Sequence, residues 1–143
     1  MIFLDSNVVI DVARGREAVR DAYFRAQDAE VGFAISVLVL EELMVGVHRG
    51  APGRQRERVH RLIAEATVVP FEPPDALLAA RTRAELGRAG VKPSYADLLI
   101  GAHAVSRGGA LVTANTRHFQ HIPGLQLLDW TQPPGPEQDP AHG

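Results

Sequence analysis

The chain has no cysteine among its 143 residues, so disulfide staples and thiolate zinc sites are excluded, and the composition fits a reducing cytoplasm. Lysine is nearly absent too: Lys92 stands alone beside fourteen arginines, which leaves arginine as the grip for phosphate. Aromatic residues make up only 6%, too few for an evident set of base-stacking rings. Met1-Ile2-Phe3-Leu4-Asp5 lacks the basic segment of a signal peptide and reaches a carboxylate before a spanning helix could begin, so a cytoplasmic chain without a membrane partner is expected. The formal net charge of -2 speaks against a protein that coats nucleic acid by electrostatics alone.

What is present is an ordinary globular composition, 45% hydrophobic and 22% charged, on a chain the size of one domain. Such a chain buries roughly 70% of its unfolded surface. Residues 2 to 4 read as a strand that stops at Asp5-Ser6-Asn7, three residues able to cap the short helix that ends at Gly15. Residues 17 to 27 carry Ala18, Ala22 and Tyr23 or Phe24 at helical spacing. Residues 33 to 36 form a second strand, and Ser36 caps a helix that runs to His48 and is broken by Gly50-Ala51-Pro52-Gly53. Between 54 and 66, Val59, Leu62, Ile63 and Ala66 make one apolar helical stripe. Residues 67 to 71 then read as a strand and 76 to 88 as a helix. Ser94 caps a helix to Arg107, and 110 to 113 and 125 to 129 are the last two strands.

Short hydrophobic strands alternating with helices predict an α/β fold, a single three-layer α/β/α domain over residues 1 to 130 with a central parallel sheet. Residues 131 to 143 hold four prolines and no apolar period, and a disordered tail is expected there. There is no internal repeat.

Open parallel sheets bind ligands outside the carboxyl ends of their strands. Asp5 ends the first strand, and Asn115 follows the fourth by two residues. Glu42 and Asp97 sit in strongly apolar helical segments, where a carboxylate costs solvation unless a cation or donor meets it. Three carboxylates in one pocket repel unless a divalent ion neutralises them, and an all-oxygen set without cysteine or a histidine cluster points to Mg²⁺, with Mn²⁺ as a substitute. Metal-assisted hydrolysis of a phosphodiester is the matching reaction.

Four segments in order carry a resemblance. Met1-Ile2-Phe3-Leu4-Asp5-Ser6-Asn7, Ile35-Ser36 with Glu42-Leu43-Met44-Val45-Gly46, Asp97-Leu98-Leu99-Ile100-Gly101-Ala102 and Leu111-Val112-Thr113-Ala114-Asn115-Thr116-Arg117-His118-Phe119 resemble the PIN-domain family, and within it VapC-type toxins of type II toxin-antitoxin systems. The ending Ile122-Pro123-Gly124-Leu125 up to Asp129-Trp130 is similar as well. The resemblance implies a Mg²⁺-dependent endoribonuclease with an acidic pocket, a homodimer held in check by a cognate antitoxin. It assigns Asp5, Glu42 and Asp97 to the metal and the chemistry, with Asn115 orienting a ligand or water. Three residues past Asn115, where many relatives carry a further acid, this chain has His118. One tightly held ion is therefore expected, with a second only when substrate phosphate adds charge.

Ser6 is placed to touch the pocket or the scissile phosphate, and Arg117 either to hold phosphate or to form a salt bridge. Glu41 and Glu42 lie about 100° apart on a helix, so only one faces the pocket; Glu42 has the family register and Glu41 the surface. Asp11 is expected at the surface or in a structural hydrogen bond, Asp75 at a cap, Asp129 at a strand end, and His103 in packing or a hydrogen bond. His118 and His121 lack further ligands for a zinc site. Arg49, Arg54, Arg56, Arg58 and Arg61 face only Glu57, which makes either a solvated helix face or a guide for an RNA backbone. A haloacid-dehalogenase phosphatase would need a second acid where Asn7 stands, and a receiver domain a positioned lysine. A non-catalytic metal- or partner-binding module, or a phosphohydrolase acting on another ester, are the alternative readings. An antitoxin is expected to occlude the acidic pocket, with an arginine on the carboxylates, and to bury apolar helix surface.

Overall fold

The computed structural model describes residues 1–132. Along the chain run β1 (Ile2–Leu4), α1 (Ser6–Arg14), α2 (Glu17–Asp28), β2 (Phe33–Ser36), α3 (Val37–His48), α4 (Gly53–Glu65), β3 (Thr67–Val69), α5 (Pro73–Arg88), α6 (Tyr95–Ser106), β4 (Ala110–Val112), α7 (Thr116–Phe119) and β5 (Leu127–Leu128). The five strands pair in the order β3-β2-β1-β4-β5, all parallel, with Ile2 opposite Phe33 on one side and Ala110 on the other. The expected three-layer α/β/α architecture is what forms. β1 and β2 are buried at every position because both faces of the sheet are covered, which is why they read as unbroken apolar runs. Among the described residues no helix is long and apolar enough to cross a membrane.

Local chemistry sets the element ends. Asp5 is extended at the N-cap of α1 and accepts from the Ser6 N–H, and Gly15 closes that helix at φ +78°, a left-handed conformation that glycine adopts without strain. Ser36 and Ser94 cap α3 and α6, as their positions predict.

Several boundaries differ from the pattern. α5 starts at Pro73 rather than residue 76, because prolines in a first turn lack only N–H groups that have no helical partner anyway. β3 stops at Val69, since Pro70 has no N–H for the ladder. β5 is only two residues long, and the four-residue α7 intervenes before it. The expected tail falls outside the described residues except for Thr131 and Gln132, and the Thr131 N–H is bound to the Asp129 carboxylate at 2.9 Å.

A buried polar lock joins the sheet to two helices. Asp75, 1% exposed, takes Arg107 Nε at 3.1 Å and Nη2 at 2.9 Å, while the Arg107 guanidinium also donates to the Pro70 carbonyl at 2.9 Å. His103, fully buried, meets the Ser36 hydroxyl at 2.8 Å through Nδ1 and the Pro70 carbonyl at 3.1 Å through Nε2. The carbonyl can only accept, so Nε2 carries the proton and Nδ1 accepts from Ser36. Asp75 therefore does more than the capping expected of it, although it does that as well, accepting from the Glu72 N–H at 2.8 Å.

Burial alone would raise the Asp75 carboxyl. Arg107, the Ser106 hydroxyl, the Glu72 N–H and His103 outweigh it and hold the group down at about 2, against an ordinary 3.8. Its folded value is depressed, so its contribution to stability is present above pH 4 and is lost as the pH falls toward 2. Arg107→Ala should destabilise the fold at pH 7 by stranding the buried Asp75 charge, and urea unfolding should show that deficit closing as the pH falls toward about 2. A deficit independent of pH would assign the loss to packing instead.

Candidate active site

The sheet order reverses between β1 and β4, and the crevice beyond the carboxyl ends of those two strands is the ligand position of an open parallel sheet. Asp5 leaves β1 there. It is 5% exposed, and its Oδ2 accepts from the Thr113 hydroxyl at 2.8 Å and from Asn7 Nδ2 at 3.1 Å, while Oδ1 takes the Ser6 N–H at 2.9 Å. Thr113, directly after β4, also accepts from the Asn115 N–H at 3.0 Å. Asn7 closes the other side by accepting from the Ala114 N–H at 3.1 Å. The two strand ends are thus laced together around one carboxylate.

α3 brings Glu42 to this crevice, where the Ser6 hydroxyl donates to its Oε2 at 3.1 Å. Glu41, next to it, is exposed, as the helical geometry predicts. α6 brings Asp97 in its first turn, partly exposed at 23%, with His118 Nδ1 of α7 at 3.3 Å from its Oδ2. Burial is the main force pushing the Asp5 carboxyl above 3.8; its hydrogen bonds oppose this and the Asp97 charge adds to it. Burial likewise raises Glu42, against the Ser6 bond and with the charges of Asp5, Asp97 and Glu41. The three acids feel one another across the crevice. Among the described residues no lysine or arginine pairs with any of them, and no three His, Cys, Asp or Glu side chains are drawn tightly enough together to enclose an ion. A set of mutually repelling carboxylates that no lysine or arginine neutralises among the described residues, with only the His118 imidazole beside one of them, has the chemistry of a site for a hard divalent cation.

The other candidates are placed as follows. Ser6 lies in the crevice, bridging α1 to Glu42. Asn115 is exposed at the N-cap of α7, and its side chain makes no capping bond. Arg117 is exposed on α7 and forms no ion pair among the described residues. Asp11 pairs with Arg16 at 3.2 Å, a structural contact. The arginines of α4 are elsewhere: Arg58 donates to the Ala13 carbonyl at 3.0 Å and, with Arg20 and Arg61, borders a cavity of about 320 Å³ at the far end of α1. That is eight residues, or about 12 Å along the helix, from Asp5. Thr113 and Asn7 were not legible as site residues. The only signal for Thr113 was its place at the end of a buried strand, and Asn7 read simply as a cap.

Comparisons with known proteins agree on one family. The model of the family described as "PIN domain" matches residues 2–125. The tRNA(fMet)-specific endonuclease VapC of Salmonella typhimurium is 33% identical over 129 residues, 89% of this chain and 96% of that protein. The solved structure of DNA-bound VapBC from Salmonella typhimurium superposes with a TM-score of 0.79 at 33% identity, covering 90% of this chain and 97% of that one. A toxin-antitoxin complex from Klebsiella pneumoniae matches with a TM-score of 0.64 at 26% identity, covering 87% and 95%.

Thr113→Val tests the lacing directly. It should drive the Asp5 carboxyl further up, and a carboxyl raised in the folded state makes stability fall as the pH rises through its titration. Urea unfolding in chelator should show a loss of about 1–2 kcal/mol at pH 7.5 and a smaller one at pH 5. Equal losses at both pH values would show that the hydroxyl does not serve the charge of Asp5.

Proposed function

The chain belongs to the PIN-domain family, and on that premise we propose that it is the toxin of a type II toxin-antitoxin system, a Mg²⁺-dependent endoribonuclease that hydrolyses RNA at the Asp5 crevice. The observation that carries this reading is the set of three carboxylates, Asp5, Glu42 and Asp97, brought to the reversal of the sheet with no lysine or arginine paired to any of them among the described residues. The similarity to an endonuclease supports the reaction class, and the toxin-antitoxin neighbour supports a cognate antitoxin as partner.

Asp5, Glu42 and Asp97 would hold the ion, which has to draw them closer than they stand alone. When bound, Mg²⁺ supplies positive charge for a phosphoryl oxygen and acidifies water at neutral pH; Mn²⁺ serves in its place. The rest falls to the chain's own groups. Asp5, fixed by Thr113, Asn7 and the Ser6 N–H, keeps its carboxylate oriented without rearrangement. Glu42 accepts a hydrogen bond from the Ser6 hydroxyl, a group that can turn toward a scissile phosphate. The side chain of Asn115 is available to orient a ligand or water at the mouth, and Arg117, exposed beside it and without an ion pair among the described residues, to meet a phosphate. His118 lies against Asp97 where a further acid would deepen the negative charge, which favours a single ion. We read the molecule as a cytoplasmic homodimer, with the antitoxin covering the crevice.

Asp97→Asn should lower RNA cleavage by at least about a hundredfold at unchanged folding, and chelation should do the same to the wild type, with Mg²⁺ restoring it. Wild-type activity in purified Asp97→Asn, or cleavage that survives chelator, would sink the assignment. Metal binding without cleavage of any RNA would support the non-catalytic module instead.

A further inference from the structure

Around the first turn of α6 from Asp97, a second feature is built from residues that the crevice does not use. Arg83 of α5, Lys92 of the connecting loop and Tyr95, the first residue of α6, line an open groove of about 400 Å³ floored by Leu98. Tyr95 is 61% exposed, and the Arg83 guanidinium carbon lies 5.2 Å from its ring centroid. The other tyrosine, Tyr23, is buried in the core. Arg83 and Lys92 are exposed, and among the described residues neither forms an ion pair. A chain with one lysine and few aromatics thus sets that lysine, an arginine and its one exposed tyrosine side by side.

Two uncompensated cations beside an exposed ring suit a ligand with negative charge and a flat face. A nucleotide has both: the base stacks on the ring while its phosphate meets the cations. An apolar protein segment would leave both charges unmatched. The position fits as well. Residues two apart on a helix point about 200° from each other, so Tyr95 and Asp97 lie on opposite sides of the same turn, separated by about one helix diameter, ~10 Å. A strand held at Tyr95 and crossing the N-terminal end of α6 reaches the carboxylates within very few nucleotides.

We propose that Arg83, Lys92 and Tyr95 form a subsite for single-stranded RNA flanking the point of cleavage, with Tyr95 stacking on a base and the two cations gripping the adjacent phosphates. The subsite rests on the ribonuclease reading and extends it. It fixes the register of the cut relative to a bound base. It also places a base-stacking ring and the lone lysine in a role that composition alone argued against.

The test is binding of a labelled single-stranded RNA dodecamer of mixed sequence to the full chain in chelator, followed by fluorescence anisotropy over a range of salt, together with steady-state cleavage in Mg²⁺. Tyr95→Ala should weaken binding about tenfold and raise KM with kcat retained, while Tyr95→Phe stays within about twofold of wild type. Arg83→Gln combined with Lys92→Gln should reduce the magnitude of the slope of log affinity against log salt by about 1.4. If the wild type cuts RNA and all these variants bind and cut as it does, the subsite is wrong and the ribonuclease reading stands. If the wild type neither binds nor cuts RNA, both fail. If Tyr95→Ala loses self-association or antitoxin binding while RNA affinity is unchanged, the groove is a protein contact and the proposal is overturned.

Discussion

A carboxylate buried where the order of a parallel sheet reverses is the constraint around which the rest of this molecule is arranged. Asp5 is at once the end of β1, the cap of α1 and a charge taken out of water. Its donors come from both strands that meet there: Ser6 and Asn7 follow β1, and Thr113 follows β4. The register that sets Leu4 against Val112 therefore brings the donors to the acid. A slip of one residue between these strands would turn the Thr113 hydroxyl away and leave the charge unmet. Glu42 and Asp97 then add negative charge to a place that already holds it at a cost. A chain selected for stability alone would not keep such a cluster, and strain of this kind is characteristic of functional sites.

The contrast with the second buried acid is instructive. Asp75 is no more exposed than Asp5, yet Arg107 neutralises it from within the chain and its carboxyl is held low, whereas the carboxyl of Asp5 is raised. One network is complete by itself; in the other, no lysine or arginine among the described residues pairs with Asp5. The complete network also serves the incomplete one. His103 and Arg107 belong to α6, which carries Asp97, and Ser36, bound to His103, caps α3, which carries Glu42. The lock fixes the two helices that deliver acids to Asp5.

The fold was legible because its signal is local. Strands buried on both faces leave continuous apolar runs, serine and aspartate mark the helix starts, and Glu42 could be separated from Glu41 by the angle between neighbours on a helix. The three acids were legible for related reasons: Glu42 and Asp97 interrupt apolar segments where solvation argues against them, and Asp5 stands at the carboxyl end of the first strand. What escaped depended on contacts that spacing does not encode. Thr113 and Asn7 are small neutral residues whose role appears only once β1 and β4 pair. The partners Asp75 and Arg107 are 32 residues apart, on helices whose hairpin has to form first. Arg83, Lys92 and Tyr95 are brought together by that same hairpin. The arginines of α4 illustrate the converse, since a conspicuous run in sequence lies at the opposite end of α1 from the acids.

A cation held by the carboxylates has to displace protons from Asp5 and Glu42, whose pKa values burial in the crevice raises. Calorimetric titration of Mg²⁺ into the protein near pH 6, repeated in buffers of different ionisation enthalpy, counts those protons. The account predicts saturable binding of one ion with net proton release that diminishes as the pH rises, and loss of both in Asp97→Asn. Binding that released no protons at any pH, or that persisted unchanged in Asp97→Asn, would contradict it.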